Sequence, residues 1–153
     1  MSIVLYPTEV CQWQALVSEA QQEAYVTLNE SVESYLVFML MRFLRKRKFS
    51  ESILALDFLE AFDKPNPYKI KSLKEVGDKS LLICGLYSKY VTCKFGSPSY
   101  FVNLGRNAYY QVSLLENFDS DNNLFDELYT DFLAMQNVLH YISLKSDTVD
   151  RKF

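Results

Sequence analysis

Apolar residues recur along this chain at three- and four-residue steps. Val10, Trp13, Leu16, Val17 and Ala20 mark the first such stripe. It predicts a helix that starts after Pro7, with Thr8 as N-cap. A second helix is expected from Asn29, and from Tyr35 to Leu44 every residue but Arg42 is apolar. That run is far shorter than the ~20 residues a bilayer span needs. A helix apolar all round predicts burial at the centre of a bundle. Its end is basic: Arg42, Arg45, Lys46, Arg47 and Lys48. A third helix is expected over Ser50–Phe62, with Asp57 and Glu60 on its polar face. The segment Asp63–Tyr68, holding Pro65 and Pro67, reads as a loop that bars helix continuation.

Ser72-Leu73-Lys74-Glu75 has the form of a capping box and predicts the start of a fourth helix. Leu73, Val76, Leu81, Ile83 and Cys84 carry that helix toward Gly85 and Tyr87. The stretch from Tyr90 to Leu104 admits two readings. Val91–Phe95 alternates and is followed by Gly96-Ser97-Pro98-Ser99, which suits a β-hairpin over 91–102. Alternatively Pro98 opens a fifth helix with Tyr100, Phe101, Leu104, Ala108, Val112 and Leu115 inward. Periodicity that lasts beyond Gly105 favours the helix. In the last helix Phe125, Leu128, Phe132, Met135, Leu139 and Ile142 form a heptad-like stripe. Asp126, Glu127 and Asp131 suit the positive end of its dipole. Residues 145–153 read as a polar tail. The expected fold is an all-α bundle of five to six helices in one domain over 1–144, with the Tyr35–Leu44 helix central.

Composition agrees with that picture. Four Gly and four Pro in 153 residues leave room for few connections, and 49% hydrophobic with 23% charged residues is globular. A net charge of −3 argues against nucleic acid as a partner. Three cysteines, Cys11, Cys84 and Cys93, with a single histidine make no zinc pattern. No P-loop, G-x-G-x-x-G, H-E-x-x-H or G-x-S-x-G motif is present, so neither a cofactor nor a catalytic set is expected. The N-terminal residues lack the charged region and long apolar run of a signal peptide, which makes the expectation a cytoplasmic protein.

The candidate chemistry is sparse. His140 falls at the edge of the last apolar stripe and reads as a rim histidine. Asp119–Asn123 begins like a calcium loop, but Leu124 stands at the glycine position and Thr130 at the bidentate glutamate position. The basic run suits a helix C-terminus and also an anionic partner. Between residues 85 and 110 stand Tyr87, Tyr90, Tyr100, Tyr109 and Tyr110 with Lys94 and Arg106, a composition typical of interface hot spots. Asp78 and Arg106 are candidates to pair as the polar element of a pocket.

Two segments, Val76–Tyr87 and Tyr100–Tyr109, together with Ser34–Val37 and Ser52–Leu59, resemble a family of small uncharacterised bacterial proteins. The resemblance implies a bacterial cytoplasmic protein and a helical 98–115, and carries no activity. It singles out Asp78, Gly85, Tyr100, Gly105, Arg106 and Tyr109. The reading that follows is a non-enzymatic protein–protein interaction or regulatory protein that binds a partner or itself. A small-molecule or lipid binder is the alternative, and an enzyme using carboxylate or tyrosine groups the third.

Overall fold

The computed structural model describes residues 5–46, 54–116 and 124–145. Over these the chain is all-α, with eight helices and no strand. They are α1 (Leu5–Ala24), α2 (Glu30–Lys46), α3 (Leu54–Ala61), α4 (Asn66–Leu86), α5 (Ser88–Phe95), α6 (Ser99–Leu115), α7 (Leu124–Thr130) and α8 (Phe132–Lys145).

Several boundaries depart from the sequence pattern, each for a local reason. Helix α1 already begins at Leu5, so Pro7 sits in its first turn, where a missing N–H is harmless. The same logic moves α4 forward: Pro65 is its N-cap and Pro67 lies in the first turn, so only residues 63–65 of the expected loop are non-helical, residues 66–68 start the helix, and Ser72 lies inside it. Asn29 does cap α2, its Oδ1 accepting from the Val32 N–H at 2.9 Å. The hairpin reading of 91–102 is incorrect, because residues 88–95 form α5. Only Val91 of that helix is fully buried, so its apolar pattern is too short to show a helical period. Gly96 ends it in the left-handed region at φ 83°, with its N–H on Thr92 O at 2.9 Å. The expected last helix divides at Asp131 into α7 and α8, yet backbone bonds Asp131 N to Glu127 O and Met135 N to Asp131 O carry across the joint. Its stripe from Phe125 to Ile142 is buried throughout. Lys145 ends α8 and bridges Glu19 at 2.9 Å and Glu23 at 3.1 Å on α1, rather than opening a tail. Residues 50–53, 119–123 and 146–153 lie outside the described residues.

The central helix is α4, not α2. Helix α4 packs most extensively on α6 and then on α8, with α3 and α5 also against it; α2 rests on α1 and α7. Burial on α2 is extensive but incomplete: Val32, Leu36, Val37, Met39, Leu40 and Met41 are buried, whereas Phe38 is 56% exposed. Small residues explain why α4 takes the centre. A Cβ on Gly77 would lie 2.4 Å from the Tyr109 ring, and one on Gly85 would lie 2.6 Å from Leu139 Cβ. Across the contact, a Cβ on Gly105 of α6 would meet Phe132 at 2.6 Å and Ser80 Cβ at 2.9 Å. Glycine inside a helix costs about 1 kcal/mol relative to alanine, and close approach of these helices offsets that cost.

This packing makes opposite predictions for two neighbours on α4. Gly77→Ala raises helix propensity but drives a methyl into a fully buried ring, so urea unfolding should show a loss of about 1–3 kcal/mol. Ser80 buries a hydroxyl with no hydrogen-bond partner among the described residues. Ser80→Ala should therefore be neutral or stabilising by about 1 kcal/mol. Equal effects at both positions would contradict the packing described.

Candidate functional site

One carboxylate lies where α2, α4 and α6 meet. Asp78 projects from α4 and is buried. Its Oδ1 accepts from the Tyr35 hydroxyl at 2.8 Å and from the Tyr109 hydroxyl at 2.8 Å. Its Oδ2 accepts from Arg42 Nη2 at 2.9 Å, an ion pair as well as a hydrogen bond. Tyr35 and Arg42 stand two turns apart on one face of α2, and Tyr109 comes from the middle of α6. The Tyr109 ring lies on Gly77, the residue before Asp78, and any side chain there would displace it. Tyr35, Tyr109 and Phe125 form an aromatic wall, with Tyr35 edge-on to Phe125 at 5.6 Å and Tyr109 tilted to it at 5.8 Å. Within that wall Tyr109 is fully buried and Tyr35 half-buried.

Electrostatics follow from this burial. Desolvation pushes the Asp78 carboxyl above its ordinary value of 3.8, while the Tyr109 and Tyr35 hydrogen bonds and the Arg42 charge pull it back. Burial also drives the Tyr35 and Tyr109 phenols well above their usual range, with the Asp78 charge adding to the rise. Both tyrosines are therefore donors at neutral pH and not bases. With two phenols on one Asp78 oxygen and a guanidinium on the other, the cluster clamps helices together. Cys84 is equally unreactive, because burial pushes its thiol up to about 12.

The other candidates separate into an inside and an outside. Arg106 does not pair with Asp78. Its guanidinium lies 4.5 Å from the Tyr129 ring centroid and its Nε donates to Tyr129 O at 3.3 Å. The convergence that an enzyme using Asp78 with Arg106 required is absent. Tyr87, Gly85, Gly105 and Tyr109 are buried, and Tyr87 packs edge-on to Phe43 at 6.2 Å. Tyr100 is 49% exposed, Lys94 and Tyr110 are exposed and Tyr90 and Arg106 are half-buried, so these are the named positions that reach the surface. Of the basic run, Arg42 enters the clamp, Arg45 and Lys46 occupy the last turn of α2, and Arg47 and Lys48 lie outside the described residues. His140 is half-buried, with Nδ1 3.3 Å from Ser88 Oγ, and borders a shallow groove of about 340 Å³ with Tyr87 and Cys93. All three cysteines are free thiols. Among the described residues no His, Cys, Asp and Glu side chains gather as a metal site, and no helix is long and apolar enough to cross a membrane.

Sequence reasoning missed Tyr35 as a polar partner and read Arg42 only as part of a charge run. Arg42 was the available signal: a lone cation inside an otherwise apolar helix needs a carboxylate. No protein-family model, curated protein or solved structure matches this chain.

The clamp makes two predictions. Asp78→Ala strands the buried Tyr109 phenol together with Arg42 and half-buried Tyr35 and should cost about 3 kcal/mol, against about 1 kcal/mol for Tyr109→Phe; urea unfolding measures both, and a smaller loss for Asp78→Ala than for Tyr109→Phe would contradict it. The second concerns pH. A carboxyl raised on folding binds its proton more tightly in the folded chain, so ionisation costs stability and acidification restores it. Wild-type stability relative to Asp78→Asn should therefore rise as pH falls through the raised folded value, and level off below 3.8. A relative stability that falls on acidification would show the opposite shift.

Proposed function

We propose that this chain is a non-enzymatic interaction protein that presents the outer face of α6 to another protein surface. One observation carries the reading. Tyr100, Asn103, Asn107, Tyr110 and Leu114 are exposed along α6 at three- and four-residue steps, and none is charged. Tyr100 and Leu114 are each 49% exposed and Tyr110 is 40% exposed. An outward helix face ordinarily carries Lys and Glu, and their depletion with tyrosine enriched is the composition of an interface core. Flanking rings extend the surface. Tyr110 packs on Tyr129 at 5.3 Å, Arg106 lies over the same Tyr129 ring, and Phe95 packs edge-on to Phe101 at the start of the helix. Arg106 is thereby held rigid, which lowers the entropy cost of using it in an interface.

A second copy of the chain is the partner this face suits best. The chain carries a net charge of −3, so two copies repel wherever charged surfaces meet. An uncharged stripe is where they can approach, and a two-fold dimer sets the same stripe against itself. Three free thiols suit a reducing compartment such as the cytoplasm.

Sedimentation velocity tests the reading. The wild-type chain should sediment at twice its 17.8 kDa mass. Asn107→Glu with Tyr110→Glu should sediment as a monomer of unchanged helicity. A wild-type chain that stays monomeric up to its solubility limit contradicts self-association. A dimer that survives both substitutions places the interface elsewhere.

A further inference from the structure

Helices α2 and α4 are joined by the Asp78 clamp more than by packing, since α2 rests on α1 and α7 while α4 is covered by α3, α5, α6 and α8. The space left between them is a groove of about 540 Å³, within the range of small-molecule sites. One wall is the α2 face bearing Tyr35, Met39, Arg42 and Phe43, and the other is the α4 face running from Lys71 to Leu82.

The charge of this groove is opposite to that of the chain. Arg42, Lys71, Lys74 and Lys79 line it against only two carboxylates, Glu75 and Asp78, within a protein of net charge −3. The charge of Asp78 is offset by Arg42, which is paired with its Oδ2 at 2.9 Å, and Lys71 and Lys79 supply the excess of positive charge. Lys74 is engaged with Glu116 at 3.3 Å and lies over the Phe125 ring. Lys71 and Lys79 make no ion pair among the described residues. Arg42 commits Nη2 to Asp78 and keeps a side chain 56% exposed, so most of its five donors remain for a ligand. Between these cations the lining is apolar, with Met39 and Leu82 buried and Phe43 half-buried.

We propose that the groove between α2 and α4 binds a small organic anion with an apolar body. Its carboxylate, sulfonate or phosphate is held by Arg42, Lys71 and Lys79, and its body lies on Met39, Phe43 and Leu82. The Asp78 carboxylate holds Arg42 in place, which spares part of the ordering cost when the anion arrives. This site shares no residue with the outer face of α6, so either assignment stands or fails without the other.

Fluorescence titration of the full chain with anilinonaphthalene sulfonate, an apolar anion, tests the proposal, with phenylnaphthylamine as its uncharged counterpart. The wild-type chain should bind the sulfonate saturably and the neutral compound much more weakly. Lys71→Gln with Lys79→Gln removes two surface charges without touching the clamp. It should weaken sulfonate binding about tenfold and leave neutral binding unchanged. Equal sulfonate affinity in wild type and the double variant, no saturable binding, or equal affinity for the two compounds would overturn the proposal. Vesicles of phosphatidylserine and phosphatidylcholine separate a soluble ligand from a lipid surface. The chain should stay in the supernatant, and co-sedimentation lost in the double variant would reassign the groove to a membrane surface.

Discussion

Everything around α4 depends on one buried carboxylate finding three donors. Isolated in an apolar core, an ionised Asp78 is untenable, since burial of an unpaired charge costs far more than a whole domain's stability margin. The chain meets this demand with residues remote in sequence, Tyr35 and Arg42 from α2 and Tyr109 from α6. Each donor also brings a helix. The Tyr109 hydroxyl reaches Asp78 because Gly77 lets its ring lie directly on α4, and α6 must come close for that to happen. Gly105 opposite Phe132 and Ser80 allows the same approach one turn earlier on α6. The polar clamp and the glycine contacts are thus two parts of one helix crossing.

Helix α6 shows how a single element divides its labour. Its inner face, Phe101, Leu104, Gly105, Ala108, Tyr109 and Val112, is fully committed to the core and the clamp. Its outer face carries tyrosines, asparagines and leucine where charged residues are usual. Helix α2 shows the complementary arrangement. Its connection to α4 is polar and confined to the clamp, which leaves an open, cationic groove beside it. A core built only from apolar contacts would have closed that gap. An ionic anchor holds two helices at a fixed distance without filling the space between them.

Much of this was legible in the residues. The stripe of α7 with α8 is buried throughout, while those of α1 and α6 are buried in part: Val10, Trp13, Leu16 and Leu115 are half-buried, and Tyr100, expected inward, is 49% exposed because the register of α6 turns it out. The close contact at Gly105 was signalled by a glycine inside a strong helical pattern. What failed was local. Proline was read as a helix breaker, where Pro65 and Pro67 start α4. α5 has one fully buried residue and therefore no period to detect. The site was legible only in part, because Asp78 stood out but its partner did not. Arg106 lies nearer in sequence than Arg42, and no one-dimensional pattern shows that α6 turns Arg106 toward Tyr129. Likewise Tyr109 and Tyr110 are adjacent, and the register of α6 alone decides that the first is buried and the second exposed.

The central claim is that Asp78 couples α2 to α6 through α4, and a double-mutant cycle between Arg42→Gln and Tyr109→Phe tests it most directly. These two residues bind opposite oxygens of the same carboxylate. If the carboxylate is the shared hub, their effects on unfolding free energy are non-additive, with a coupling of about 0.5–3 kcal/mol. Additivity within about 0.3 kcal/mol would mean that the helices are held by packing alone, and that the clamp is an accessory to the fold and not its constraint.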